Sequence, residues 1–262
     1  EAAYSYAGTT LVINPLADFL PGETVTATVT DAVEGTDGNQ LEEEYAFTLN
    51  MIDAAPTPIE VGGTLSSSTL WTSDNVYYLT SDLTIPSGVT LVIEPGTVVK
   101  FSSYKELNVD GMLLAQGTTA EQIVFTVYWD DTYGGDTGDG SYSWDTIRLN
   151  GDGSILDHVL VRNGGWYSSS GRSSMVYLNS NSVVRNSTLE NQHGSVTLAS
   201  AAVSIGSMGQ LRDSLIRSNT YGVRVTSSSA ILVGNTITGN IYPVAQTASS
   251  GAVDYSGNDL AG

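Results

Sequence analysis

Apolar and polar residues alternate in short runs along almost the whole chain. "TLVINP", "TVTATVT", "YAFTLNMI", "LTIPSGVTLVIEPGTVVKF" and "IVFTVYW" are rich in Val, Ile, Thr, Tyr and Phe. A period of two over four to eight residues is the signature of a strand with one face buried. Long segments with apolar residues at i, i+3, i+4 and i+7 are missing, and Gly, Asn, Asp and Ser break the runs at short intervals. The pattern predicts an all-β protein.

The alternation lapses at "MIDAAPTPIEVGG", where Ala, Pro and Gly mark a boundary. It divides the chain into residues 1–58 and 59–262. The first part reads as four strands with tight turns, one entered through "LPGE" and another through "DGNQ". "NPLADFLPGETVTATVT", "DGNQL" and "YAFTL" resemble the second half of a bacterial Ig-like domain, of the kind strung along cell-surface proteins. Such a sandwich normally takes about 100 residues and seven strands. A partial sandwich of this length either has its missing strands upstream in a longer chain or leaves an apolar face and strand edges open to β-strand addition from another chain.

Repeats organise the second part. "IRLNGDGSILDHVLVRNGG", "VYLNSNSVVRNSTLENQHG", "VSIGSMGQLRDSLIRSNTYG" and "VRVTSSSAILVGNTITGN" share one layout of strand, polar turn, second strand and corner. Aligned on the second strand, Val161, Leu189, Ile216 and Ile237 fall in step, as do Leu156, Val184, Leu211, Leu232 and Val253. A period settling near 21 residues is that of one coil of a parallel β-solenoid. Longer early spacings predict insertions at corners, such as "GWYSSSGRSS". "LTIPSGVTLVIEPGTVVKF", "LNVDGMLLAQGT" and "QIVFT" then resemble the opening coils of secreted right-handed parallel β-helix proteins. The resemblance implies that fold, and no single activity, because the same helix carries lyases, hydrolases, adhesins and plain scaffolds. His158, Asn186 and Asp213, and then Asn163, Asn191, Asn219 and Asn240, are the expected corner residues, stacked from coil to coil.

Charge narrows the partners. With 28 acidic against 9 basic residues, the net charge is -19. Such a surface repels nucleic-acid phosphates and anionic membranes and attracts divalent cations. No apolar stretch is long enough for a membrane-spanning helix. Without Cys there are no disulfides, thiol nucleophiles or thiolate metal sites. A start at Glu1 without Met fits a processed or fragmentary extracellular protein.

The most conspicuous polar stretch is "VYWDDTYGGDTGDGSYSW", residues 127–144, an insertion between two coils. Asp130, Asp131, Asp136 and Asp139, spaced by Gly134, Gly135, Gly138 and Gly140, offer the carboxylates and tight backbone curl that Ca2+ prefers. "DDTYGGDTGDGSYSW" also resembles a corner insertion of the β-helix family just named. Two readings stand: a structural calcium loop with those four ligands, or a solvated insertion.

Candidate chemistry is sparse. Asp157, Asp213 and Arg212, with Arg162 and Arg185, form the best constellation for a polysaccharide lyase or glycosidase, which needs facing carboxylates or an Arg base. His158 and His193 lack triad or metal-ligand spacing. Trp71, Trp129, Trp144 and Trp166 with Tyr133, Tyr142 and Tyr167 are candidates for an aromatic sugar platform or for corner packing. Ser-rich turns without a regular Thr ladder speak against an ice-binding face. The expectation is a non-catalytic extracellular or cell-surface protein: an adhesin, stalk or filament subunit. Its partners would be itself, neighbouring surface domains or a polysaccharide. The alternative is a carbohydrate-binding or carbohydrate-cleaving β-helix protein.

Overall fold

A computed structural model describes residues 2–7, 10–15, 24–35, 37–40, 42–50, 57–166, 174–193, 201–247, 253 and 255–260. The chain divides into two compact units, Glu1–Ala55 and Pro56–Gly262. Among the described residues every regular element is a strand, and there is no helix long and apolar enough to cross a membrane.

The first unit holds the four expected strands. They form two antiparallel hairpins, Ala2–Ala7 with Thr10–Pro15 and Thr24–Val29 with Tyr45–Asn50. In the second hairpin Val25, Ala27 and Val29 oppose Leu49, Phe47 and Tyr45. Successive residues point to opposite faces of a strand, so these pairs share one side, and Tyr45, Phe47 and Leu49 remain exposed.

The second unit is a three-sided parallel β-solenoid. Face 1 has seven strands: Thr69–Trp71, Thr90–Ile93, Met112–Gln116, Ile155–Asp157, Val183–Arg185, Gln210–Arg212 and Ile231–Val233. From each the chain turns onto face 2, then face 3, and returns to face 1 one coil further on. Face 2 begins with the first half of Val76–Ile85 and continues through Val98–Phe101, Ile123–Val127, Val159–Arg162, Thr188–Glu190, Leu215–Arg217 and Thr236–Thr238. Face 3 takes the second half of Val76–Ile85, then Leu107–Val109, Ile147–Leu149, Val176–Leu178, Val203–Ile205, Tyr221–Val225 and Tyr242–Gln246.

The inward residue of each strand stacks on its counterpart in the next coil. On face 2, Phe125 pairs with Val161, Val161 with Leu189, Leu189 with Ile216 and Ile216 with Ile237. On face 1, Leu156, Val184, Leu211 and Leu232 do the same. These are the registers the repeat predicts, and all nine side chains are buried. Each such side chain contributes roughly 1.5–3 kcal/mol of apolar transfer.

Two kinds of corner hold the stack. From face 1 to face 2 the chain turns on one residue in the left-handed region: His158 (φ 49), Asn186 (φ 49), Asp213 (φ 46) and Gly234 (φ 71). Asn, Asp and Gly enter that region at least cost. The corner from face 2 to face 3 carries the excursions. The long insertion leaves face 2 after Val127 and rejoins face 3 at Ile147, so it spans 128–146 rather than 127–144. The next two coils leave the same corner after Arg162 and Glu190.

Candidate functional site

The corner residues are structural and fall into more stacks than the repeat predicts. Asn163 (φ 59) and Asn191 (φ 55) are in the left-handed region, and Ser218 (φ 57) and Gly239 (φ 62) take that place in the next coils. Asn219 and Asn240 therefore belong one position on. There the backbone N–H of Gln192 donates to Asn219 Oδ1, and the N–H of Asn219 to Asn240 Oδ1, each at 3.0 Å. A further ladder lies just past the tight corner. The N–H of Val159 donates to Ser187 Oγ, that of Ser187 to Ser214 Oγ, that of Ser214 to Asn235 Oδ1 and that of Asn235 to Asn258 Oδ1. Ser187, Ser214 and Asn235 directly follow the residues at positive φ, a signal the sequence carried and residue type concealed. Buried backbone donors need such acceptors.

The insertion folds back against the outside of face 2. A side chain at Gly134 (φ 68) would meet Val76 and Val98 within 2.9 and 3.1 Å, which marks how closely the backbone approaches. Beneath it lies Lys100, fully buried, with Nζ donating to the carbonyl of Gly135. Burial lowers the Lys100 pKa, and the charges of Asp131, Asp130 and Asp136 oppose that shift.

The four expected metal ligands do not converge. Asp130 is buried; its Oδ2 accepts from Thr126 Oγ1 at 2.6 Å and Asn163 Nδ2 at 3.2 Å, with Arg162 Nε at 3.5 Å. Asp136 accepts from the N–H of Gly138 at 2.7 Å in a local turn. Asp131, Asp136 and Asp139 are exposed. Among the described residues no three acidic or His side chains form a metal-holding group. A hard dication wants six to eight oxygens, whereas here the lysine ammonium occupies the acidic environment. The arrangement does not fit Ca2+.

The catalytic candidates separate in the same way. Asp157 and Arg185, on successive strands of face 1, pair at 2.8 Å, and Asn186 Nδ2 and His158 Nδ1 reach the other carboxylate oxygen at 2.9 and 2.8 Å. Burial pushes the Asp157 carboxyl up, but hydrogen bonds from Asn186 and Arg185, with the charges of Arg185 and His158, outweigh it and hold the pKa below its ordinary value. Asp213 occupies the corner position of His158 and Asn186, not the strand position of Asp157. Arg212 donates to Gln210 Oε1 at 2.9 Å. Arg162 belongs to face 2, where Asp130, Arg162, Glu190 and Arg217 form an alternating column with contacts of 3.5, 3.7 and 2.8 Å.

The aromatic candidates split between core and corner. Trp71 stacks on Tyr77 at 4.4 Å and Trp144 on Phe101 at 4.5 Å, all four buried. Trp144 Nε1 donates to the carbonyl of Arg162, and a Cβ at Gly164 would come within 2.2 Å of its ring. At the excursion corner Tyr104, Tyr142 and Trp166 contact one another, with centroids 5.5 to 5.6 Å apart. Tyr104 and Tyr142 are 46% and 50% exposed. Tyr104, which the sequence did not single out, has φ 65, uncommon for a bulky residue. Bonds from its N–H to the Ser143 carbonyl and from Asp145 N–H to the Lys105 carbonyl fix it there. Trp129 lies edge-on to His193 at 6.2 Å. Tyr133 faces Arg162, whose guanidinium carbon is 5.6 Å from the ring centroid. Tyr167 lies outside the described residues.

No family model matches the chain, and no solved structure does. A 68-residue stretch, 26% of the chain, is 35% identical to part of Protein bark beetle of Drosophila melanogaster and spans 2% of that protein's length.

Proposed function

We propose that the chain is a non-catalytic, extracellular structural or surface protein in which a right-handed β-helix serves as a rigid spacer. One observation carries this reading: the ionisable side chains suited to catalysis are paired with one another between coils, as Asp157 is with Arg185 and Glu190 with Arg217. A general acid or base needs a partner change during turnover, and Asp157 already has three. The resemblance of the first unit to an Ig-like module adds to the reading. Its exposed Tyr45, Phe47 and Leu49 suit completion by a strand from a neighbouring surface domain or another copy. The test is incubation with uronic-acid and neutral polysaccharides, following unsaturated-product absorbance and new reducing ends. No cleavage is expected; cleavage that Asp157→Asn abolishes in a folded protein contradicts the proposal.

The Tyr104–Tyr142–Trp166 cluster favours a second reading, a glycan-binding module. Three rings held at the same corner of three successive coils present apolar faces of the size that sugar C–H groups stack upon. The net charge of -19 favours neutral over acidic sugars. Tryptophan fluorescence titrated with neutral oligosaccharides tests it, with loss of the response expected in Tyr142→Ala.

A further inference from the structure

Parallel sheets ordinarily bury both faces, and the outer sides of the three solenoid faces differ in what they offer. Face 2 bears the column Lys100, Thr126, Arg162, Glu190, Arg217 and Thr238, and face 3 bears Thr84, Asn108, Arg148, Tyr177, Ser204 and Arg224. Face 1 bears Val92, Leu114, Ile155, Val183, Gln210 and Ile231, in unbroken register over six coils. Val92 and Ile231 are 37% and 38% exposed, and Leu114, Ile155 and Val183 are half-buried. An aliphatic stripe of this regularity is what a docking surface presents.

The columns flanking the stripe identify what covers it. On one side run Gln116, Asp157, Arg185 and Arg212, with one acid toward the first coils and two bases toward the last. On the other side lie Met112 and, two residues before Gln210, Met208, which is 51% exposed. A two-fold axis in the plane of the face, perpendicular to the column and passing between the coils of Ile155 and Val183, reverses the order of the coils. It sets Asp157 against Arg185 of the second copy, Gln116 against Arg212, Met112 against Met208 and Ile155 against Val183. In the central column Val92 also meets Ile231, with Leu114 against Gln210 as the one apolar-to-polar match. Arg212 forms no ion pair among the described residues, so it is available to a partner.

We propose that face 1 is a homodimer interface in which two solenoids pack sheet on sheet, antiparallel, about this axis. Six coils at about 4.8 Å and three columns covering about 20 Å give roughly 600 Å² per copy, about 1,200 Å² in all, the lower end of specific interfaces. A reversible dimer of modest affinity follows.

Sedimentation equilibrium of the full chain from about 1 to 500 μM tests the proposal. Wild type is expected to show a monomer–dimer equilibrium, and Leu114→Glu, on the outer surface, to remain monomeric. Gln116 is exposed, so its variants leave folding undisturbed: Gln116→Glu, facing Arg212, should tighten the dimer about threefold or more, and Gln116→Arg should weaken it, because the pair occurs twice per dimer. A monomer at every concentration overturns the proposal. So does a dimer indifferent to Leu114→Glu, open-ended association, or Gln116→Glu and Gln116→Arg shifting the equilibrium in the same direction.

Discussion

Lys100 Nζ donates to the carbonyl of Gly135, which places a fully buried ammonium beneath the most acidic excursion of the chain. The excursion thus carries an internal counter-ion, supplied by the neighbouring coil of face 2. The charges of Asp130, Asp131 and Asp136 favour its protonated form against the cost of burial. The ammonium is tied to the loop backbone at Gly135 and lies within the field of its carboxylates.

Substitution of this lysine should convert the loop into a cation-responsive one. Lys100→Gln is expected to lower stability by about 1–3 kcal/mol, since it removes a buried partner of Gly135 and uncovers carboxylates of like sign. Calcium at millimolar concentration should then restore part of the loss, as any ligand selective for the folded state does. Calorimetry of the variant with and without calcium measures both effects, and a variant as stable as wild type contradicts the role given to Lys100.

Asp157 predicts an acid-dependent loss of stability. Its folded pKa lies below the unfolded value of about 3.9. The carboxylate's contribution is therefore complete above pH 4 and fades as pH falls through the folded value. Asp157→Asn should cost about 1–2 kcal/mol at pH 7, a modest figure because Arg185 is partly exposed. The difference from wild type should shrink below about pH 4 in denaturant titrations. An equal difference at pH 7 and pH 2 would remove Asp157 from the ion-pair network.

The solenoid was legible in the sequence because inward positions are under one requirement, apolar bulk, which repeats with the coil. Val161, Leu189, Ile216 and Ile237 stack in the register their spacing gives. Polar ladders were less legible because a corner needs only some acceptor: Ser187, Ser214 and Asn235 fill one structural position with two residue types. Asp213 stands at the corner of His158 and Asn186, as the repeat predicts, and so falls one residue out of step with Asp157 in the expected constellation, since a one-residue shift moves a side chain to another position altogether. The acidic loop was ambiguous because its counter-ion, Lys100, is 35 residues from Gly135 in sequence and adjacent only after coiling. Tyr104 was invisible for the same reason, meeting Tyr142 and Trp166 only across successive coils.

The amide ladder yields a test that separates shape from hydrogen bonding. Asn219 Oδ1 accepts from the N–H of Gln192, while Nδ2 donates to the carbonyls of Leu189 and Arg217 and to Asn240 Oδ1. Asn219→Ala leaves these groups unpartnered and should cost about 1–3 kcal/mol. Asn219→Asp, nearly isosteric, should cost more at pH 7 because it directs a carboxylate oxygen at three acceptors. Thermal melts of the two variants should rank Asp below Ala; the reverse ranking would show that the amide's donors are not engaged.

The claim that the chain's own lysine, and not a metal, organises the excursion is tested most directly by the thermal melt of wild-type protein in millimolar calcium and in EDTA. The same midpoint, within about one degree, is the predicted result. A rise of several degrees with calcium would contradict it and restore Asp130, Asp131, Asp136 and Asp139 as ligands of a bound ion.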